Sequence, residues 1–185
     1  MKHRLFVSLN IPEEIKEKIL ESRDSVPHNR VDKYWLTKNK FHCTLKFIGD
    51  VDHQIVLKII DELNFLENYS KLFCELEKFG FFYHKSQPSI LWMGMKFELI
   101  ILEIVKKINQ TLVRFEIEEE KKNFNGHITL LRLKEKVPNE FIEAFKNFKF
   151  NSVPFYSDSI SLYESSFLNG GHIYKELKKY KLRSK

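Results

Sequence analysis

Two stretches of this chain repeat each other. Residues 41 to 50 read FHCTLKFIGD and residues 124 to 134 read FNGHITLLRLK, so His42, Thr44 and Leu45 recur as His127, Thr129 and Leu130. The chain contains only four Thr, and two of them fall in this pattern. An internal repeat of this kind calls for a chain built from two related units. The first stretch has the alternation of a half-buried strand: Cys43, Leu45 and Phe47 point to a core, His42, Thr44 and Lys46 to the other face, and Gly49-Asp50 supplies a turn. Because side chains alternate with period two, His and Thr share a face in both copies. Two strands, one from each unit, can then direct two histidines and two threonines into a common space.

The rest of the chain accommodates such a pair of units. With 185 residues and 43% hydrophobic content, it can bury a core. Seventeen Phe against six Gly and five Pro leave no room for a low-complexity linker. One domain spanning residues 1–185, subdivided into lobes in intimate contact, is expected. HRLFVSLN reads as a strand. IPEEIKEKILESRDS reads as a helix with Pro12 in its first turn and Ile15, Ile19 and Leu20 on one side. After the 41–48 strand, DHQIVLKIIDELNFL repeats the helical pattern with Asp52 as its N-cap. KLFCELEKFGFF and PSILWMGM read as strands, ELIILEIVKKINQTLVRF as a long helix, GHITLLRL as a strand and PNEFIEAFKNF as a helix. FYSDSISLYESS and GHIYKELKKYKL close the chain as strands. Helices and strands alternate without Gly-rich first turns, which favours a mixed α+β fold over a dinucleotide-binding one.

The net charge of +6 is compatible with an anionic partner, although much of the excess lies in the tail KELKKYKLRSK, which reads as a solvated face. The apolar run near the N-terminus is too short for a signal peptide and nothing approaches a membrane span, so a cytoplasmic location is expected. Cys43 and Cys74 have no Cys-x-x-Cys spacing, and Cys43 reads as a small core residue.

A pair of histidines suits cleavage of a phosphodiester by water. One side chain takes the proton of the attacking oxygen while another protonates the leaving oxygen on the opposite side. Histidine performs either role near neutral pH. Threonine hydroxyls two residues along can donate to the non-bridging oxygens as charge develops there. A metal site is the rival reading, but neither copy brings a Cys, Asp or Glu at ligand spacing. His53, between Asp50 and Asp52 and the helix that follows, reads as part of a capped helix start. His3, His28, His84 and His172 lack the repeated context and read as surface or structural residues.

These motifs resemble the two-histidine phosphoesterases, specifically the bacterial and archaeal RNA 2′,3′-cyclic phosphodiesterases first described as 2′-5′ RNA ligases. The resemblance runs nearly end to end, through RLFVSLNIPEEI, Trp35, FHCTLKFIGDV, GHITLLR and SLYESSFLNGGHIYKELKKYKL. It implies two α+β lobes related by a pseudo-twofold, each an antiparallel sheet with helices packed outside, facing each other across a central basic cleft. It implies that His42 is the proton donor to the departing 3′ oxygen and His127 the proton acceptor from water, that the product is a 2′-phosphomonoester, and that no metal or other cofactor takes part. Thr44 and Thr129 would bind the phosphate. Arg132 fits the second motif, yet strict alternation places it on the face opposite His127, so a role requires the strand to end or twist first. Lys46, on the His42 face, would add positive charge. The partners implied are RNA ends or nucleotides bearing a 2′,3′-cyclic phosphate, tRNA fragments among them, with no obligate protein partner. The same motifs are compatible with a 2′-5′ ligase running this chemistry backward, and the fold with a non-catalytic RNA or nucleotide binder.

Overall fold

The computed structural model describes residues 2–27, 35–168 and 171–184; His28 lies outside these. Eight strands and four α-helices are seen among them. In chain order they are β1 (Lys2–Leu9), α1 (Glu13–Ser25), β2 (Cys43–Asp52), α2 (His53–Glu62), β3 (Leu72–His84), β4 (Gln87–Phe97), α3 (Ile100–Val113), β5 (His127–Arg132), α4 (Asn139–Asn147), β6 (Val153–Ser157), β7 (Ser159–Leu168) and β8 (Gly171–Lys181). The fold is α+β. The repeat is a repeat of structure: β1-α1-β2-α2 and β4-α3-β5-α4 have the same order, and each carries its His-x-Thr-Leu at the start of the second strand.

All eight strands join one antiparallel sheet in the order β6-β3-β4-β5-β2-β1-β7-β8. Its middle is a seam. β2 and β5 share a single ladder pair, Cys43 with Ile128, and each half then continues outward through its own partners. One half contains β2, β1, β7 and β8, and the other β5, β4, β3 and β6. The chain therefore starts and finishes in one half and passes through the other in between.

One face of the sheet is the core. Leu5, Val7, Leu9, Cys43, Ile128, Leu130, Leu131, Leu91 and Met93 cluster with Ile15 and Ile19 of α1, Ile59 of α2, Ile104 and Ile108 of α3 and Phe141 and Phe145 of α4. Phe79 and Phe81 of β3 meet Phe145 edge to face, a geometry that aromatic pairs favour. Cys43 and Cys74 are buried free thiols. Among the described residues no helix is long and apolar enough to cross a membrane.

Three local expectations change. Pro12 stands at the N-cap of α1 rather than inside its first turn, where its carbonyl accepts the amides of Ile15 and Lys16. Asp52 occupies the N-cap position of α2, but its side chain makes no capping hydrogen bond. FYSDSISLYESS forms two strands, broken at Asp158, which belong to opposite halves of the sheet; no Gly or Pro within residues 155–164 marks that change of partner. The lysine-rich tail is mostly β8, an edge strand, and lysines on an edge discourage pairing with another chain.

Gly80 of β3 has a packing role. It pairs with Trp92 of β4, and a Cβ at residue 80 would lie 2.2 Å from the indole. Gly80→Ala should therefore displace Trp92 and destabilise the protein by about 1–3 kcal/mol, the usual range for overpacking. Urea unfolding measures this; an unchanged midpoint would show that the indole has room to move.

Candidate active site

The seam brings the two motifs together. Continuing the Cys43–Ile128 register by one residue in each direction places His42 opposite Thr129 and Thr44 opposite His127. Each histidine thus faces the threonine of the other copy, on the side of the sheet away from the core. Both histidines are half-buried.

The imidazoles are held alike. His42 Nδ1 donates to the carbonyl of Lys40 at 2.7 Å, and His127 Nδ1 donates to the carbonyl of Asn125 at 2.8 Å. In each case the acceptor lies two residues upstream. With Nδ1–H engaged, the neutral ring carries its lone pair on Nε2, and Nε2 is the nitrogen that can exchange a proton. The approach to each histidine is fixed by local structure. Lys40 ends a single 3₁₀ turn, Lys38–Lys40, just before β2. Asn125 precedes Gly126, where a Cβ would lie 1.9 Å from the Phe97 ring.

Burial disfavours the imidazolium at both sites. It lowers the pKa of His42 to about 4; the Lys40 carbonyl opposes this, while the charges of Arg132, His127 and Lys16 add to it. His127 is lowered too, by burial first, against its Asn125 hydrogen bond and with the help of Arg132. Both rings are therefore neutral at pH 7 when the site is empty of an anion.

Arg132 reaches this site because β5 is not regular. Trp92 pairs with Thr129 and Leu91 with Leu131, so Leu130 is an extra residue, a β-bulge, and Arg132 returns to the face of Thr129. The alternation that placed Arg132 opposite His127 is corrected by that one residue. β2 carries the equivalent bulge. Ser8 pairs with Thr44 and Val7 with Lys46, making Leu45 the extra residue. Here the bulge reverses the expectation for two residues. Lys46 is turned to the face of Val7, buried, with Nζ donating to the carbonyl of Glu118 at 2.6 Å. Phe47, expected in the core, pairs with Phe6 on the site face and is 50% exposed. Lys46 consequently anchors the segment before β5, as does Asn109 of α3, whose Oδ1 accepts the amide of Glu120.

Aromatic side chains that the motif does not mark surround both rings. Phe6, Tyr163 and Tyr174 pack around His42 with centroids at 4.9, 6.5 and 5.3 Å. Phe82 and Trp92 lie 4.8 and 6.4 Å from His127. Alternation in RLFVSLN and in SLYESS already groups Phe6 with Ser8 and Tyr163 with Ser161, but nothing in the sequence aligns those strands beside His42. Among the described residues, two buried side-chain polar atoms lack a hydrogen-bond partner: Ser8 Oγ and Trp92 Nε1. They occupy equivalent positions, paired with Thr44 and Thr129. Such groups usually cost about 1–3 kcal/mol, and their symmetry ties that cost to the site.

A cavity of about 460 Å³ opens beside Thr44 and His127, where β2 and the segment before β5 part; Phe47, Val105, Asn109 and Phe124 line it as well. A larger depression further along β2 contains neither histidine and is lined by charges of both signs, Lys58, Arg114, Lys121 and Lys122 among Glu116, Glu118, Glu119 and Glu120. Among the described residues no three His, Cys, Asp or Glu side chains converge as a metal-binding group would. Of the remaining histidines, His3 bonds Glu164 and His53, away from the motifs. His172, read as a surface or structural residue, is exposed but lies on the site face; its pKa is lowered by partial burial first and then by the charges of Arg132, Arg4 and Lys40.

Comparison with known proteins places this geometry in a family context. The model of the family described as LigT like Phosphoesterase matches residues 9–92 and 100–174. An RNA 2′,3′-cyclic phosphodiesterase of Thermotoga maritima is 25% identical over 94% of this chain and 92% of its own. One from Methanocaldococcus jannaschii is 28% identical over 96% of this chain and 99% of its own. Among solved structures, E. coli LigT complexed with 3′-AMP superposes with a TM-score of 0.77 at 21% identity, covering 98% of this chain and 99% of the other; it is similar in fold.

The electrostatics can be tested without any substrate. In an NMR titration of the free protein both imidazoles should protonate below the ordinary value of 6.5, His42 the lower of the two. Arg132→Gln removes a cation that disfavours imidazolium at both rings, so both titrations should move to higher pH. A titration of either ring unaffected by Arg132→Gln would place the guanidinium elsewhere.

Proposed function

The chain belongs to the LigT like phosphoesterase family, and we propose that it hydrolyses 2′,3′-cyclic phosphate ends of RNA to 2′-phosphomonoesters, using His42 and His127 as acid and base without a metal ion. The observation that carries this reading is the matched pair of imidazoles, each with Nδ1 tied to a main-chain carbonyl and each facing the threonine of the other motif. An in-line displacement at phosphorus needs two proton-transfer groups on opposite sides and donors around the equator, and the two histidines and two threonines of the seam support that reading.

With the cyclic phosphate between the rings, water attacks phosphorus on the side opposite the 3′ oxygen. His127 Nε2 takes the water's proton as the new P–O bond forms. The P–O3′ bond breaks, and His42 Nε2–H protonates the departing oxygen. The products are a 2′-phosphate and a 3′-hydroxyl; His127 ends protonated and His42 neutral, and solvent exchange restores the start. Thr44 and Thr129 donate to the non-bridging oxygens, while Arg132 offsets the charge accumulating on them.

The acid must begin protonated, whereas in the free protein burial and Arg132 hold His42 near 4. The substrate's negative charge opposes that depression, so proton uptake accompanies binding. The two rings then titrate as a coupled pair. With both free-state pKa values below 6.5, the singly protonated pair becomes scarce above that pH. kcat/KM should fall about tenfold per pH unit there, and the profile of kcat should lie to the alkaline side of the profile of kcat/KM.

The deciding experiment incubates the protein with an RNA ending in a 2′,3′-cyclic phosphate, with and without a chelator, and resolves 2′ from 3′ products. A 2′-phosphate formed at the same rate in both arms is expected; loss of activity in chelator with recovery on adding zinc would overturn the metal-free mechanism. His42→Ala and His127→Ala should each lower kcat by orders of magnitude, and a much better leaving group at the 3′ position should rescue only His42→Ala. Rescue of His127→Ala instead would exchange the roles. Thr44→Ala or Thr129→Ala removes a hydrogen bond to a charged group and should slow turnover roughly ten- to 150-fold, with Thr→Ser much milder. Unchanged turnover and affinity would remove that threonine from the site.

A further inference from the structure

The β7-β8 hairpin carries aromatic side chains beyond those that touch His42. In its register Tyr163 pairs with Glu176, Ser165 with Tyr174 and Phe167 with His172. Paired residues share a face, and Tyr163 also pairs with Phe6 on the site face, so all six hairpin side chains belong to that face. The rings connect step by step. Phe6 stacks on Tyr163 at 5.4 Å, and Tyr174 meets both Phe6 and His42 edge on. Tyr174 stacks with His172 at 6.4 Å and an interplanar angle of 23°, and His172 meets Phe167 at 5.4 Å. The strip thus runs outward from the catalytic pair. Its inner end is buried at Phe6 and half-buried at Tyr163 and Tyr174, while at its outer end His172 is exposed and Phe167 is 68% exposed.

Cations flank the same strip. Lys40 Nζ would lie 3.9 Å from a Cβ at Gly171, next to His172, and the pKa of His172 is lowered by burial first and then by the charges of Arg132, Arg4 and Lys40. Arg4 also sits over the Phe47 ring, 5.2 Å from its centroid, on the inner flank. Exposed rings in a row beside Arg and Lys make a platform for unpaired nucleic acid bases, because every base offers a π-face and every linkage a negative charge.

Resting on the phosphodiesterase reading, we infer that the outer hairpin, through Phe167 and His172, stacks the unpaired nucleotides that precede the cyclic end, and so selects single-stranded RNA ends over mononucleotides. The cyclic phosphate is fixed between the histidines, and the chain 5′ of it passes over Tyr174 to His172 and Phe167, with its linkages toward Arg4, Lys40 and Arg132. A recessed end inside a duplex has its bases already stacked and cannot use the strip.

The test compares 2′,3′-cyclic AMP with a single-stranded tetranucleotide ending in a 2′,3′-cyclic phosphate, using wild type, Phe167→Ala, His172→Ala and His172→Phe. Wild type should show a higher kcat/KM on the tetranucleotide. Each Ala variant should lose roughly tenfold on it, the scale of one lost base stack, while activity on 2′,3′-cyclic AMP stays within about twofold and His172→Phe keeps the preference. Equal wild-type kcat/KM on the two substrates, or Ala variants that lose both activities alike, would overturn the inference. Should wild type hydrolyse neither substrate, the phosphodiesterase reading fails. Fluorescence anisotropy with a labelled 3′-phosphorylated tetranucleotide then decides the platform separately, weaker binding by the Ala variants supporting it and unchanged binding overturning it.

Discussion

One ladder pair, Cys43 with Ile128, holds the two halves of the sheet in register. A slip of one residue there would turn every side chain at the seam to the other face, exchanging histidines and threonines for core residues. Both seam residues are fully buried. Leu5, Val7 and Leu9 behind one and Leu91 and Met93 behind the other resist such a slip because each would have to leave the core. The hydrophobic core therefore aligns the polar site on the other face of the sheet.

The two copies diverge in use after the shared motif. In each, the leucine of His-x-Thr-Leu is the bulged residue, and the second residue after it returns to the site face. That position is Arg132 in one copy and Phe47 in the other. The intervening position is Leu131 in the core of one half and, in the other, Lys46, drawn to the Glu118 carbonyl. A duplicated scaffold thereby gives an asymmetric environment, with a guanidinium on one side and an aromatic ring with Arg4 above it on the other. Non-equivalent neighbours are what a non-equivalent acid and base require.

Much of this was legible in the sequence because the informative signals were local. Period-two alternation and the repeated His-x-Thr-Leu mark His42, Thr44, His127 and Thr129 as candidates that share a face, and helical spacing marks α1 to α4. What escaped was set by pairing between strands distant in sequence. The bulges at Leu45 and Leu130 leave no mark on either strand alone, so alternation exchanges the faces of Lys46 and Phe47 and sets Arg132 behind the sheet. The break at Asp158 has no Gly or Pro to mark it. The main-chain carbonyls of Lys40 and Asn125 that orient the rings have no sequence signature, and His172 reads as an ordinary surface residue until β8 is laid beside β7.

The central claim is that two imidazoles from equivalent strands act on opposite sides of one phosphorus, through Nε2, without a metal. A crystal structure with a nucleoside-vanadate complex, whose trigonal bipyramid imitates the transition state, measures this directly. His42 Nε2 and His127 Nε2 should each lie within hydrogen-bond distance of a different apical oxygen, with the Thr44 and Thr129 hydroxyls on equatorial ones. Both imidazoles on one side of the vanadium, or a metal ion bridging it to the protein, would contradict the account.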